Sequence, residues 1–264
     1  TFGKPTKDSG TKSFLSLQSA VKALINDSIN LLVTAPINKN NIQSEEFKFP
    51  GHTDYLAKEL SGESLMFMIC DELKVGLLTD HIPLKDINSH ITKQRIEQKF
   101  SLINESLKKD FGIQKPKIAV LSIDPHVGDG GVIGNDDQDL LKPVLLEIAS
   151  KGNLVFGPFS SDSFFGSGLH KKYDAVLAIY HDQGLIPFKT LSFGSGVNYT
   201  AGLNKIRTSP DHGTGYDIAG KGLADSTSFK NAIFSAIDIL KSRKLFDDLN
   251  KNPLTSSNSK TGKK

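Results

Sequence analysis

The chain of 264 residues is poor in cysteine and has no long apolar run. Its single cysteine, Cys70, excludes an internal disulfide and any CxxC zinc site, which is typical of proteins of a reducing cytoplasm. No apolar run approaches the length of a membrane span, and the opening stretch TFGKPTKDSGTKS has no apolar core that would indicate a signal peptide. We therefore expect a cytoplasmic protein without a membrane partner.

An excess of one charge sign is also lacking. The 32 basic and 29 acidic residues give a formal net charge of +3, and no basic stripe of the kind that binds nucleic acid occurs. The glycine patterns GxxxxGK[ST] and GxGxxG are absent. These absences argue against a nucleic-acid partner, a kinase-like P-loop and an ordinary Rossmann site. The content of 38% apolar residues is sufficient for a sizeable core.

Short apolar runs alternate with helical patterns along most of the chain. Five runs indicate buried strands: INLLVTAPI (29–37), KVGLLTD (74–80), KIAVLSI (117–123), NLVFGP (153–158) and DAVLAIY (174–180). Helical spacing of apolar residues occurs at 14–27, 52–60, 91–112, 228–249 and 135–152, where Pro143 should kink or restart the helix. After residue 191 a glycine-rich stretch shows little helix or strand character. The alternation predicts an α/β fold with mostly parallel sheets and helices on both faces.

Histidines follow three of the predicted strands. His81 comes after VGLLTD, His126 after AVLSIDP and His181 after AVLAIY. Ligands of open α/β sheets gather at the carboxyl ends of strands, so these side chains could meet there. Three imidazoles with an open fourth position suit a catalytic divalent metal, and the alternative is three separate loop histidines bonded to backbone. His90 and His170 lack this placement and are interpreted as surface residues.

Other candidate site residues lie close to these positions. Asp182 directly follows His181 and could orient its ring, transfer a proton or merely cap a loop. His52 and Thr53 stand where a helix begins. Thr53 could cap that helix while free backbone N–H groups bind an anion, or it could cap the helix with no ligand present.

The glycine-rich stretch contains polar residues suited to a ligand. Lys189, Asn198 and Arg207 are evenly spaced in a segment with little helix or strand character and could hold an anionic substrate, or they could be solvated surface groups. The segment PDHGTGYDIAGKGLAD (210–225) follows. Its glycines allow a close backbone approach to a ligand, and ribose and adenine could be met by the polar residues Asp211, His212, Thr214 and Asp217.

A set of motifs spans nearly the whole chain in a fixed order. They are TAPINK, PGHTDYLA, TDHIPL, DPHVGDGG, YHDQGLIPFK, FGSGVNYTAGLNKIRTSPDHGT and DIAGKGLAD. Together they closely resemble the 4-hydroxythreonine-4-phosphate dehydrogenase family of the vitamin B6 pathway. The resemblance implies a two-domain isocitrate/isopropylmalate dehydrogenase-like fold with a cleft between the domains. Residues 1–50 plus 185–264 would form the cofactor-side domain, and residues 51–184 the metal, substrate and dimerisation domain.

The resemblance also implies roles for individual residues. The divalent metal, which could be zinc, magnesium or cobalt, would be bound by His81, His126 and His181. Substrate contacts would come from His52, Thr53, Lys189, Asn198 and Arg207. The NAD or NADP cofactor would contact Asp211, His212, Gly213, Thr214 and Asp217. The candidates for catalytic proton transfer are Asp182 and Asp162. The family is dimeric, so we expect a homodimer whose site is completed across the subunit interface.

The activity implied by the resemblance is oxidation of 4-phosphohydroxy-L-threonine and decarboxylation to 3-amino-2-oxopropyl phosphate. One alternative is a paralogous dehydrogenase of erythronate or threonate 4-phosphate, and another is an inactive homologue that binds metal or phosphate. The family normally opens with a glycine-rich GDPxGIGPE element, whereas this sequence starts at Thr1 without it. We therefore expect part of the cofactor-side domain to be missing.

Overall fold

The computed structural model describes residues 3–60 and 62–252. These residues form eight strands: β1 (Leu31–Val33), β2 (Leu65–Ile69), β3 (Lys74–Leu77), β4 (Lys117–Leu121), β5 (Leu154–Phe159), β6 (Ala175–Ala178), β7 (Val197–Ala201) and β8 (Ile206–Pro210). All eight belong to one sheet in the order β1-β8-β7-β2-β3-β6-β4-β5. The helices are α1 (Lys7–Ile25), α2 (His52–Glu59), α3 (Ile87–His90), α4 (Lys93–Lys109), α5 (Lys142–Ser150), α6 (Ser161–Gly166), α7 (His181–Ser192) and α8 (Thr227–Asn250).

The sheet is parallel at both ends and antiparallel in the middle. The β1–β8, β3–β6, β6–β4 and β4–β5 pairs are parallel, whereas the β8–β7, β7–β2 and β2–β3 pairs are antiparallel. The predicted α/β class is confirmed. Three of the four strands in the antiparallel centre, β2, β7 and β8, were not among the predicted strands.

The two predicted domains correspond to two parts of this sheet. Strands β1, β7 and β8 come from residues 1–50 and 185–264, and the other five strands come from residues 51–184. The predicted boundary therefore falls at the β7–β2 pair, where hydrogen bonding runs from Leu65 opposite Ala201 to Ile69 opposite Val197. The sheet is continuous across this boundary, and the division into domains stays a prediction.

Apolar side chains pack against both faces of the sheet. Helix α4 begins after Thr92, whose hydroxyl accepts a hydrogen bond from the backbone N–H of Arg95 at 3.2 Å. Its apolar stripe, which includes Ile96 and Phe100, joins residues of β2, β4 and α8 in one core cluster. A second cluster packs Leu185 of α7 against the opposite face, among other residues. Packing on both faces of the sheet holds the strand ends in place, and the loops that follow the strands carry the polar residues.

The structure corrects several of the local predictions. The stretch said to have little helix or strand character places Lys189 in α7, Asn198 on β7 and Arg207 on β8, so that prediction was wrong. His170 is 3% exposed and its ring lies 5.7 Å from that of Phe165, so the surface interpretation was also wrong. The predicted restart at Pro143 is confirmed, because a π-helical turn at Asp137–Leu141 leads into α5 there.

Within the described residues, no helix has both the length and the apolar character that crossing a membrane requires.

Candidate active site

A cavity of about 300 Å³ brings most of the predicted site residues together. Its walls are the starts of α2 and α7, the loops after β1 and β3, and the inward face of β7 and β8. The predicted residues that line it are His52, Thr53, His81, His181, Lys189, Asn198, Arg207, Asp211, His212 and Gly213. Strand ends and helix N-termini thus converge on one site, as expected for an α/β sheet.

Arg207 is the buried cation of this cavity. Its side chain is on β8 and is 2% exposed, and burial lowers its pKa to about 9, so it stays charged at neutral pH. No carboxylate within the described ranges forms a salt bridge with it. Asn198 on the neighbouring strand has a buried side-chain oxygen, Oδ1, with no hydrogen-bond partner among those residues. A charge and a polar atom left uncompensated at one wall indicate a ligand that supplies both partners.

His52 and Thr53 lie at the N-terminal end of α2. Burial, followed by the charges of Arg207 and Lys39, lowers the pKa of His52 to about 3, so its imidazole is neutral. Thr53 is buried but does not cap the helix, because the N-cap position is Gly51 and no side chain caps it. The capping prediction for Thr53 was therefore wrong, and the first N–H groups of α2 stay available to the cavity.

Lys189 joins α7 to the loop that follows β8. Its ammonium group donates a hydrogen bond to the backbone oxygen of Asp211 at 3.1 Å. His212 and Gly213 continue this loop along the cavity, whereas Thr214 and Asp217 are exposed beyond it. Of the five predicted cofactor contacts, only Asp211, His212 and Gly213 therefore line the cavity.

His81 and His181 lie next to each other at the cavity. Their ring centroids lie 5.7 Å apart with the planes inclined at 44°. Burial, and then the nearby Lys39, lowers the pKa of His81 and favours the neutral imidazole that a metal needs. Nδ1 of His181 lies 2.7 Å from Oδ1 of Asp182, which leaves Nε2 of His181 as its ligand atom. The two rings could offer nitrogen donors to one cation, although Nε2 of His81 also lies 3.2 Å from the ammonium group of Lys39.

His126 lies apart from this pair. It lines a second cavity of about 710 Å³ together with Asp162 and Asp182. Among residues 3–60 and 62–252, no three metal-ligating side chains come together. One copy of the chain therefore brings together two of the three predicted ligands, and the third is held on a separate surface.

The loop that carries His126 has an unusual backbone. His126, Val127 and Asp129 have φ values of 54°, 59° and 44°, in the left-handed region that L-residues rarely adopt. Gly128 lies between them, and a Cβ there would stand 2.2 Å from the backbone oxygen of Gly134. The buried carboxylate of Asp137 holds the start of the loop by accepting hydrogen bonds from two backbone N–H groups at 2.9 and 2.8 Å. The fold thus maintains a strained turn that exposes an imidazole.

Gln183 and Gly184 fix the start of α7. Gln183 accepts a hydrogen bond from the N–H of Ile179 at 2.6 Å and donates to the Ser122 carbonyl and the Ser161 hydroxyl, both at 2.8 Å. Gly184 leaves no room for a side chain, since a Cβ would lie 2.8 Å from Val75. The helix therefore packs tightly on β3 and β6, which brings His181 to the strand ends.

The two aspartates predicted to transfer protons differ in their surroundings. Asp182 contacts His181, as described above. Asp162 is exposed in the first turn of α6, where its Oδ1 accepts hydrogen bonds from the Ser160 hydroxyl and the Ser163 N–H, both at 2.7 Å. The bond from the Ser160 hydroxyl, and then that from Ser163, lowers the pKa of Asp162. It lines the second cavity but not the first one.

Sequence reasoning missed some residues of the first cavity. Lys39 follows β1 in the TAPINK motif, and its ammonium group lies 3.2 Å from Nε2 of His81. Lys39 is a polar residue shortly after a predicted strand, which is the same signal that identified the three histidines. Asp54 also lines the cavity, and burial, followed by the charge of Asp80, raises its pKa. In the sequence, Asp54 looks like any acidic residue in the first turn of a helix, so its place in the cavity could not be predicted.

A protein-family model described as "Pyridoxal phosphate biosynthetic protein PdxA" matches residues 1–236. The chain belongs to the PdxA family. The 4-hydroxythreonine-4-phosphate dehydrogenase of Bacteroides thetaiotaomicron is 48% identical over 255 residues, covering 96% of this chain and 70% of that relative. The resemblance found in the motifs is confirmed, and so is the prediction of an oxidoreductase family in pyridoxal phosphate biosynthesis.

Solved structures of related proteins share the fold. The 4-hydroxythreonine-4-phosphate dehydrogenase of Klebsiella pneumoniae matches with a TM-score of 0.78 and 35% identity, over 90% of this chain and 73% of that one. A terephthalate 1,2-cis-dihydrodiol dehydrogenase of Burkholderia xenovorans matches with a TM-score of 0.65 and 25% identity, over 90% and 76% of the two chains. The fold of the PdxA family thus extends to a dehydrogenase named for a different substrate.

Proposed function

We propose that this chain oxidises 4-phosphohydroxy-L-threonine with NAD or NADP and a divalent metal ion, and that loss of CO2 then gives 3-amino-2-oxopropyl phosphate. The observation that carries the proposal is a cavity of about 300 Å³ that is lined both by the His81–His181 pair and by the buried, uncompensated Arg207. A metal-binding wall and an anion-binding wall then flank one small substrate. The names of the most similar relatives support this choice of substrate.

The metal site fits the donors that the chain offers. Neutral imidazoles are ligands for zinc and cobalt, and His81 and His181 present two of them. We place the third ligand, His126, on a second copy of the chain, because it is exposed and lies outside the cavity of its own copy. When bound, the cation lowers the pKa of the substrate hydroxyl, and the nicotinamide accepts the hydride.

A homodimer follows from this placement. The second cavity carries His126 and Asp162 beside apolar side chains of α6 and α7, among them Ile186, which is 64% exposed. Apolar surface of this kind is what a subunit interface covers. Asp162 would reach a substrate only together with His126 of the second copy. The active site is then shared between subunits, and a monomer is inactive.

The remaining residues bind and orient the substrate. Arg207 and Lys189 supply positive charge, and Asn198 and the N–H groups at Thr53 supply hydrogen bonds to the phosphate and carboxylate. The neutral His52 donates or accepts one hydrogen bond without opposing the cation beside it. Asp182 holds the ring of His181 through Nδ1. The cofactor would be held by Asp211, His212 and Gly213 at the rim of the cavity and by Thr214 and Asp217 beyond it.

The test is formation of the reduced nicotinamide from 4-phosphohydroxythreonine and, in parallel, from erythronate 4-phosphate, each with and without zinc or magnesium. Metal-dependent turnover that favours the amino acid supports the proposal. Preference for erythronate 4-phosphate would transfer the activity to sugar-acid phosphates. A folded dimer that binds zinc and phosphate but turns over neither substrate would contradict the proposal and favour the inactive homologue.

A further inference from the structure

The guanidinium of Arg207 is held by two threonine hydroxyls. Its Nε and Nη2 atoms donate hydrogen bonds to Oγ1 of Thr34 at 3.0 and 2.7 Å, and Nη1 donates to Oγ1 of Thr200 at 3.2 Å. Thr34 directly follows β1, and Thr200 lies on β7. These are the two strands that flank β8 in the sheet. One hydroxyl therefore comes from each side of the strand that carries Arg207.

These contacts leave a defined set of donors unused. A guanidinium has five N–H groups, and the two threonines occupy three of them. One N–H on Nη1 and one on Nη2 remain, and Arg207 is among the residues that line the cavity. Two adjacent N–H groups match the two oxygens of a phosphate or carboxylate. Both threonines are buried, at 7% and 0% exposure, so water does not compete for their hydroxyls.

A second buried arginine shows how a carboxylate partner changes the charge of the site. Arg243 is 9% exposed, and its Nε lies 2.6 Å from the carboxylate of Asp110, which neutralises its charge inside the core. The hydroxyls around Arg207 accept hydrogen bonds but carry no charge. Arg207 therefore makes three hydrogen bonds, as Arg243 does, and still keeps its positive charge for another partner.

We propose that Thr34 and Thr200 are positioning residues that aim the two free N–H groups of Arg207 at an anionic group of the substrate. The proposal rests on the proposed function for the identity of that substrate, but not for the existence of the anion site. Neither threonine touches the substrate, and both act through Arg207. Hydroxyls at these two positions determine how tightly the cavity binds an anion.

The experiment measures binding of inorganic phosphate to the dimer by titration calorimetry. Thr34→Val removes one hydroxyl at nearly constant volume and should raise the Kd about 10- to 100-fold, the range for a lost hydrogen bond to a charged group. Thr34→Ser retains a hydroxyl and should restore binding. Thr200→Val should weaken binding less, because it frees one N–H instead of two.

Thr208→Val is the matched control. Thr208 is fully buried on β8 next to Arg207, but its hydroxyl donates to the backbone oxygen of Ala232 at 2.7 Å and not toward Arg207. Its loss should leave the phosphate Kd unchanged. In turnover assays, Thr34→Val should raise KM for the phosphorylated substrate and leave kcat nearly constant.

Three results would overturn the proposal: a folded Thr34→Val protein that binds phosphate as wild type does, a Thr34→Ser protein as weak as the valine variant, or wild type that binds no phosphate at millimolar concentration. Phosphate binding that depends on Thr34 in a protein without dehydrogenase activity would support it. That last result would contradict the proposed function alone, so the two failures are distinguishable.

Discussion

The two predicted parts of the metal site are built in different ways. His81 and His181 follow strands of the sheet, and the tight packing at Gln183 and Gly184 fixes the helix that begins at His181. His126 is on an exposed left-handed turn that stays in place through glycine and the Asp137 carboxylate. The first part is preorganised within one chain, whereas the second presents its imidazole outward. The difference agrees with the proposal that a second copy of the chain supplies the third ligand.

The preorganised pair should be the more sensitive part. His181→Ala removes one of two ligands in the cavity, and we expect metal-dependent turnover to fall to the background rate because the cation is no longer held. His90→Ala, which changes a histidine outside both cavities, should retain wild-type activity. Turnover of the His181→Ala dimer at the wild-type rate would remove His181 from the metal site.

The contact between Asp182 and His181 should have a smaller effect. Asp182→Ala frees the ring of His181, and zinc affinity should fall about 10- to 100-fold, as for other partners that orient metal ligands. The measurement is a zinc titration against a competing chelator. Asp8→Ala removes an aspartate from the first turn of α1, far from either histidine in the sequence, and serves as the control. Equal zinc affinity in all three proteins would contradict the orienting role.

The left-handed turn can be tested with two of its own glycines. Gly128→Ala adds backbone strain and a contact at 2.2 Å with the Gly134 backbone oxygen, so we expect a loss of about 1–3 kcal/mol in the free energy of unfolding. At Gly130, where φ is +65° and a Cβ meets nothing within 4 Å, alanine adds strain alone and should cost about 1 kcal/mol. Equal losses in denaturant titrations would show that the loop moves away from Gly134.

The pH dependence of stability probes the buried side of the cavity. The pKa of His52 is about 3 in the folded protein and 6.5 when exposed, so the unfolded chain binds the extra proton below pH 6.5. Its contribution is complete above pH 6.5 and is lost as the pH falls toward 3, at up to about 1.4 kcal/mol per pH unit. His52→Asn should reduce the slope of unfolding free energy against pH in metal-free protein. An identical slope would mean that His52 is not held neutral.

The sequence predicted strand ends better than the strands themselves. Buried apolar runs followed by a polar residue located His81 and His181 correctly at the carboxyl ends of β3 and β6. Strands β7 and β8 were missed because Asn198, Arg207 and Ser209 line the cavity, and those polar side chains replace the apolar pattern that marks a strand. The polar residues of the site thus interrupt the apolar pattern from which these two strands could have been predicted.

Other features depend on contacts that no local pattern records. The surface interpretation of His170 followed from Lys171 and Lys172 beside it, yet its ring packs on Phe165 within the fold. In the sequence Thr34 looks like any residue at the end of a strand, and only the pairing of β1 with β8 reveals its hydrogen bond with Arg207. The separation of His126 from the other two histidines depends on the path of the loop after β4, whose left-handed turn no apolar pattern predicts.

Mixing two inactive variants tests the shared site most directly. A dimer that combines one His126→Ala chain with one His181→Ala chain would have one site in which all three histidines are present, if His126 comes from the partner. Random reassociation of equal amounts should then recover about a quarter of wild-type activity, because half of the dimers are mixed and each has one intact site. Failure of the mixture to regain any activity, with mixed dimers confirmed by mass spectrometry, would contradict a metal site shared between two copies.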